Sequence, residues 1–160
     1  MIYKKNKLIF IVEDNEMYSI MLDYTLSNDS IVKFMCFKTG EECLENLHFN
    51  PMMVILDFWL PGMNGLEVFK KIRQQNQNVP VVILTQDHDL EIATLLLNAG
   101  VTDYFNKSEN SVSEIKQLIN KELGKIIEKE EAQNRRMRTL VFIFCLVAVA
   151  IVIIYTKRFW

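Results

Sequence analysis

Three acids, a hydroxyl and an ammonium stand at the ends of short apolar runs in this 160-residue chain. Asp57 closes the run Met52-Met53-Val54-Ile55-Leu56 and is soon followed by Leu60-Pro61-Gly62-Met63-Asn64-Gly65. Glu13 and Asp14 follow Leu8-Ile9-Phe10-Ile11-Val12, Thr85 follows Val81-Val82-Ile83-Leu84, and Lys107 follows Thr102-Asp103-Tyr104-Phe105-Asn106. Two carboxylates held close repel by about 4 kcal/mol at ~4 Å and an effective dielectric of ~20. A cluster of Glu13, Asp14 and Asp57 therefore needs a cation or raised pKa values. Mg²⁺ suits it, because it takes hard oxygen ligands and fills its remaining positions with water and phosphate oxygens. Asp57 is then the candidate nucleophile for an aspartyl phosphate. Mg²⁺ and Lys107 would neutralise charge on the transferring group, and the Thr85 hydroxyl would hydrogen-bond a phosphoryl oxygen.

These groups meet only if the apolar runs are parallel strands ending on one edge. Short apolar runs bounded by Pro and Gly read as buried strands and turns, and open α/β sheets bind ligands beyond the carboxyl ends of their strands. Strand-like runs at 7–12, 31–37, 52–57, 80–85 and 102–106 alternate with helix-like runs at 15–27, 40–48, 65–75, 88–98 and 110–123. Five βα repeats imply an α/β fold, a five-stranded parallel sheet with helices on both faces and right-handed crossovers. Leu66, Phe69 and Ile72 form one apolar stripe beside Lys70 and Arg73; Ile92, Leu95, Leu96 and Ala99 form another. Gly100 is placed to cap the helix that ends before it.

With those residues in view, positions 1–124 resemble the receiver domain of bacterial two-component response regulators. The resemblance rests on Glu13-Asp14, Asp57, the Pro61-Gly62-Met63-Asn64-Gly65 turn, Thr85, Tyr104 and Lys107. It rests also on the separations of 43, 28 and 22 residues from Asp14 to Asp57, Thr85 and Lys107 in turn. It implies a flavodoxin-like strand order 2-1-3-4-5 and Asp57 as phosphoacceptor. Mg²⁺ would be held by Asp14, Asp57 and the backbone carbonyl of Trp59, with Glu13 acting through water. Thr85 and Tyr104 would be a switch pair that rearranges on phosphorylation. The partners implied are a histidine kinase or phosphotransfer protein and an output protein, with homodimerisation left open. No separate enzymatic output module is legible. A pseudo-receiver that is never phosphorylated is the alternative reading.

Singly, each residue has a plainer explanation. An Asp after an apolar strand commonly caps a helix or forms a turn, and Glu13-Asp14 could cap the following helix. Lys107 alone reads as a solvated charge and Tyr104 alone as core. Their joint order on successive strand ends favours the site. A haloacid-dehalogenase-type phosphatase also uses an Asp nucleophile after a strand, but it needs a second Asp two residues on, where Trp59 stands. The chain departs from the receiver pattern at Ser108, where the family has a proline after the lysine, at Gln86 after Thr85, and at Trp59.

The second legible feature is C-terminal. Leu140 to Tyr155 is sixteen residues without a charge, Pro or Gly, and Thr139 and Thr156 extend it to eighteen. As a helix, eighteen residues span about 27 Å, against a hydrocarbon core of about 30 Å. The segment is apolar on every side, unlike a helix packed on a surface. Its twelve Leu, Ile, Val and Phe residues favour insertion by about 4–7 kcal/mol. Tyr155, Phe159 and Trp160, with Lys157 and Arg158, suit an interfacial belt. The expected organisation is a receiver over 1–124, a charged helical linker over 125–138, a transmembrane helix over 139–156 in contact with membrane lipid, and a short tail over 157–160. The linker should continue one long helix from about residue 110, with Gly124 as a bend and Glu131–Arg135 as a favourable i,i+4 pair. The domain should face the cytoplasm from the inner membrane, where kinases supply phosphoryl groups.

Charge divides the chain in the same way. Residues 1–134 carry 13 basic and 20 acidic residues, net −7; residues 135–160 carry five basic and none acidic, net +5. An acidic domain is a poor nucleic-acid binder, and Arg135-Arg136-Met137-Arg138 suits anionic headgroups. Cys36, Cys43 and Cys145 follow no metal or disulfide spacing and read as apolar fillers. His48 and His88 have no partner pattern.

Overall fold

A computed structural model describes residues 7–27, 31–86 and 90–158, the side chains of Glu109 and Lys157 excepted. His88, Phe159 and Trp160 lie outside the described residues. The chain divides into two units, one ending at Asn120 and one beginning at Lys121.

In the first unit, five strands alternate with helices: β1 (Lys7–Val12), α1 (Glu16–Leu26), β2 (Val32–Phe37), α2 (Gly40–Glu45), β3 (Met53–Asp57), α3 (Gly65–Gln75), β4 (Val81–Thr85), α4 (Leu90–Asn98), β5 (Asp103–Asn106) and the start of α5 (Glu109–Arg158). The strands are all parallel in the order β2-β1-β3-β4-β5, as expected. The central strands β1, β3 and β4 are covered on both faces, which is why their sequences are apolar without alternation.

Strand parity sorts the core into two layers. Phe10, Val12, Val54, Leu56, Val81 and Ile83 point to the face covered by α2, α3 and α4, where Leu66, Phe69, Ile72 and Leu96 pack. Ile9, Ile11, Met53, Ile55, Val82 and Leu84 point to the other face, covered by Leu22 and Leu26 of α1 and Ile115 and Ile119 of α5. Fully burying one such side chain is worth about 1.5–3 kcal/mol.

Local signals stop and start the helices. Gly100 adopts φ +84 after α4, and Val101 N–H reaches back to the Leu96 carbonyl at 3.0 Å, closing the helix end. Asn64 caps α3 in a reciprocal box with Glu67, each side chain bonding the other residue's backbone N–H at 3.0 Å. The helix expected over 40–48 is shorter: α2 ends at Glu45, and a 3₁₀ turn at Leu47–Phe49 leads into Asn50 at φ +53. Leu95, expected on the buried stripe of α4, is half exposed, and the burial falls to Leu96. Cys36 is likewise exposed, on the edge strand β2, whereas Cys43 is buried in the core; burial pushes its thiol up to about 12.

The second unit is the remainder of α5. The helix is continuous through Gly124, where a bend was expected, and Glu131 and Arg135 are not paired in it. Its apolar stretch ends at Thr156 and has none of its surface buried; among the described residues, it is the one helix long and apolar enough to cross a membrane.

Candidate functional site

The site is assembled at the carboxyl edge of the sheet, where β1, β3, β4 and β5 end side by side. Asp57 is the last residue of β3 and is 3 % exposed. Glu13 follows β1 directly and is equally buried, its N–H held by the Phe37 carbonyl of β2 at 2.9 Å. Thr85 ends β4 and is buried; its carbonyl accepts from Lys107 N–H at 2.7 Å, which fixes the lysine backbone to the strand end.

Lys107 ties the two buried acids together. Its Nζ donates to Glu13 Oε2 and to Asp57 Oδ2, both at 2.7 Å. All three side chains are almost wholly buried. The second oxygen of each acid takes a backbone donor: Asn15 N–H bonds Glu13 Oε1 at 3.3 Å, and Trp59 N–H bonds Asp57 Oδ1 at 3.1 Å. Burial raises the Glu13 carboxyl above its ordinary value; Lys107 opposes that rise and the Asp57 charge adds to it. Burial alone would lower the Lys107 ammonium, but its bonds and attraction to Asp57 and Glu13 prevail and hold it above the ordinary lysine value.

Asp14 points outward. It is exposed and makes no hydrogen bond or ion pair among the described residues, yet a carboxylate oxygen on each of Glu13, Asp14 and Asp57 lies within 4.8 Å of the others. Counted formally, three carboxylates and one ammonium leave a charge of −2. That balance, with hard oxygen donors only, fits a divalent cation of the Mg²⁺ type.

The turn after Asp57 shapes the mouth of the site. Gly65 N–H bonds the Phe58 carbonyl at 2.8 Å, and the glycine backbone lies flush against Asp57 and Phe58. Trp59 is 54 % exposed and stands edge-on to the Phe58 ring at a centroid distance of 5.0 Å. Gln86 is exposed after Thr85. Tyr104 lies on β5 opposite Ile83, its side chain packed on the α2–α3–α4 face of the core. After Lys107 the chain turns through Ser108 into α5. Ser111, 1 % exposed, donates through Oγ to the Ser108 carbonyl at 2.6 Å, and the Ser108 N–H bonds that hydroxyl at 3.3 Å.

The expected acids, hydroxyl and ammonium thus converge on one edge, with Tyr104 partly buried against the core on the neighbouring strand. The cap of α1 is corrected: Asn15, not the Glu13-Asp14 pair, accepts the helix N–H, at Tyr18. Asp14 is thereby left outside the helix cap. His48 is a turn residue, its Nδ1 beside the Glu45 carbonyl at 2.9 Å. Sequence reasoning missed Tyr18. Its ring lies under Lys107 Nζ at 4.7 Å, and its hydroxyl is buried near Ser111 without a hydrogen-bond partner. Only the register of α1 against the β5–α5 turn brings these residues together, and no local signal marks it.

Known proteins resemble this chain in sequence and fold. The family model for the response regulator receiver domain matches residues 9–120. The DNA-binding transcriptional regulator NtrC of Escherichia coli is 27% identical over 128 residues, which is 79% of this chain and 27% of that protein. The alkaline phosphatase synthesis transcriptional regulatory protein PhoP of Bacillus subtilis is 33% identical over 103 residues, 64% of this chain and 42% of that one. The chain therefore spans less than half the length of these curated relatives. Among solved structures, a LuxR-family DNA-binding response regulator from Staphylococcus aureus superposes with a TM-score of 0.65 and 28% identity, covering 72% of this chain and 98% of that one.

Proposed function

Because the chain belongs to the response regulator receiver domain family, we propose that it is the phosphoacceptor of a two-component phosphorelay and that Asp57 takes the phosphoryl group. The observation that carries this reading is the buried triad of Asp57, Glu13 and Lys107, completed by the exposed Asp14. The donor is the phosphohistidine of a histidine kinase or phosphotransfer protein. The Asp57 carboxylate forms a new O–P bond as the P–N bond breaks, and the histidine nitrogen keeps the electron pair.

Asp14, Asp57 and the Trp59 carbonyl would hold Mg²⁺, with Glu13 acting through water; when bound, the ion neutralises charge on the transferring group. The protein's own residues do the rest. Asp57 is held for attack by the Trp59 N–H on one oxygen. Lys107 loses its partner on Asp57 Oδ2 when that carboxylate becomes an acyl phosphate, and its ammonium is free to bond a phosphoryl oxygen instead. The Thr85 hydroxyl bonds another, and Tyr104 follows it, which carries the event to an output protein. The apolar stretch of α5 anchors the chain in the cytoplasmic membrane as a single span, with the receiver facing the cytoplasm.

The test is transfer of label from acetyl phosphate to the full-length chain in detergent with Mg²⁺. Label on the wild type and none on Asp57→Asn is the expected result. Label that persists in the variant would put the nucleophile elsewhere. No label from acetyl phosphate or phosphoramidate, and no binding of beryllofluoride, would make the chain an interaction module that is not phosphorylated.

A further inference from the structure

Tyr18 carries none of the groups that phosphoryl transfer needs, yet a closed circuit of contacts builds it into the site. Glu13 Oε1 accepts from Asn15 N–H, and Asn15 Oδ1 accepts from Tyr18 N–H at 3.1 Å. The Tyr18 ring lies under Lys107 Nζ at 4.7 Å, and Nζ returns to Glu13 Oε2 at 2.7 Å. The cap that starts α1 therefore also sets the ring beside the acid that shares the lysine.

A lysine in this place needs holding. Its four-carbon stem is flexible and its ammonium is a point charge with freely rotating donors. Lys107 and Tyr18 both line a cleft of about 680 Å³ between α1 and α5, along with Met21, Thr25, Val112 and Lys116. The ammonium has room to turn that way as the Asp57 carboxylate gives up charge to the incoming phosphoryl group and its hold on Nζ weakens. A third acid in place of Tyr18 would hold it but would also compete with the phosphoryl oxygens. An aromatic face attracts a cation through its quadrupole and offers no strong acceptor.

We propose that Tyr18 is a positioning residue for Lys107: its ring face keeps the ammonium over the Glu13–Asp57 edge of the site and out of the α1–α5 cleft while the phosphoryl group arrives. This rests on Asp57 being the acceptor. The ring does the holding. The Tyr18 hydroxyl makes no hydrogen bond to Lys107.

The experiment is a double-mutant cycle on the full-length chain in detergent, with Tyr18→Phe and Tyr18→Leu made in the wild type and in Lys107→Ala. The rate of labelling by acetyl phosphate at saturating Mg²⁺ is measured for each. Tyr18→Phe should label within about twofold of wild type. Tyr18→Leu should label about tenfold more slowly, which is about 1.4 kcal/mol and within the range of a desolvated ammonium–ring contact. In Lys107→Ala the same Leu substitution should change the rate less than twofold, since the group it acts through is gone. An equal loss in both backgrounds would make Tyr18 a structural residue and overturn the proposal. So would an unchanged rate in Tyr18→Leu, or a loss in Tyr18→Phe as large as in Leu.

A second readout does not depend on labelling. NMR resonances of the Lys107 side chain should show a ring-current shift that persists in Tyr18→Phe and disappears in Tyr18→Leu, or in Tyr18→Met should Leu fail to fold. If the wild type takes no label, the acceptor reading fails, and this shift alone decides the Tyr18–Lys107 contact. Absence of the shift in the wild type overturns it.

Discussion

A Cβ atom on Gly65 would lie 2.4 Å from the carbonyl oxygen of Asp57 and 2.8 Å from the Phe58 Cα. Both obstacles are backbone, so no side chain can turn aside to make room. The glycine lets the start of α3 close on the end of β3, and that closure fixes the backbone that carries Asp57. Gly65→Ala should therefore destabilise the protein by about 1–3 kcal/mol through overpacking, and it should slow labelling although every reacting group remains. Denaturant midpoints and labelling rates check this. Wild-type values for both would show that the two segments separate freely.

The buried charges give a pH dependence with a definite sign. The Glu13 carboxyl is raised above 4.5 in the folded protein, chiefly by burial. A raised value means stability fully present below pH 4.5 and lost as the pH rises through the folded value. Ionised Glu13 is then a cost near neutral pH in the metal-free protein. Glu13→Gln should raise the melting temperature in EDTA at about pH 7, and the difference from wild type should close as the pH falls toward 4.5. A lower melting temperature for Glu13→Gln would mean that its bond to Lys107 outweighs its burial.

Lys107 gives the complementary window. Its ammonium is raised above 10.5: burial opposes the charge, but the bonds to Asp57 and Glu13 outweigh burial. Its contribution is present below pH 10.5 and is lost as the pH rises through the folded value. Lys107→Ala leaves two buried acids without their cation and should cost about 3–5 kcal/mol near neutral pH. Most of that cost should vanish at alkaline pH, where the wild-type amine is neutral too. A cost that stays constant from neutral to strongly alkaline pH would point to packing rather than charge.

If Asp57 is the acceptor, the lifetime of its phosphoryl group tests a shielding role for Trp59. Hydrolysis of a phosphoryl group on Asp57 would need water in line with the Asp57–phosphorus bond, and Trp59 and Gln86 follow the ends of β3 and β4 that carry Asp57 and Thr85. The indole is bulky and rests edge-on against Phe58. Trp59→Asn should therefore lose label faster, by about tenfold, a barrier change of about 1.4 kcal/mol. Unchanged or slower loss would remove the shielding role. Slower loss in Gln86→Ala would instead assign Gln86 the positioning of water.

The apolar stretch of α5 predicts fractionation. Full-length protein should pellet with membranes and resist alkaline carbonate, and truncation after Asn134 should release it. Recovery of the full-length chain in the soluble fraction would assign the stretch to helix–helix association instead.

Much of the molecule is legible in its sequence, because a parallel sheet buried on both faces writes each strand as an apolar run ended by polar residues. The bounds of β1 through β5 fall within a residue of those runs, and Glu13, Asp57, Thr85 and Lys107 are the polar residues that end them. What was not legible depends on contacts between distant segments. Tyr18 looks like any residue in the first turn of a helix until α1 lies against Lys107. Asn15 is hidden beside two acids that would serve equally well as caps. Leu95 and Leu96 are adjacent and equally apolar, and only the roll of α4 on the sheet decides which is covered. Gly124 reads as a bend, but one glycine costs a helix only about 1 kcal/mol, and the helix passes through it.

The separation of Lys107 from its two partners has a consequence for the nascent chain. Glu13 precedes it by 94 residues and Asp57 by 50. At about 5–20 residues per second, the ribosome makes both acids seconds before it makes the lysine. During that interval the first four strands hold no ammonium for the site. A four-strand intermediate must keep the acids wet, protonate them or borrow a cation from solution, so the final strand delivers both the sheet edge and the counter-charge that lets the site close.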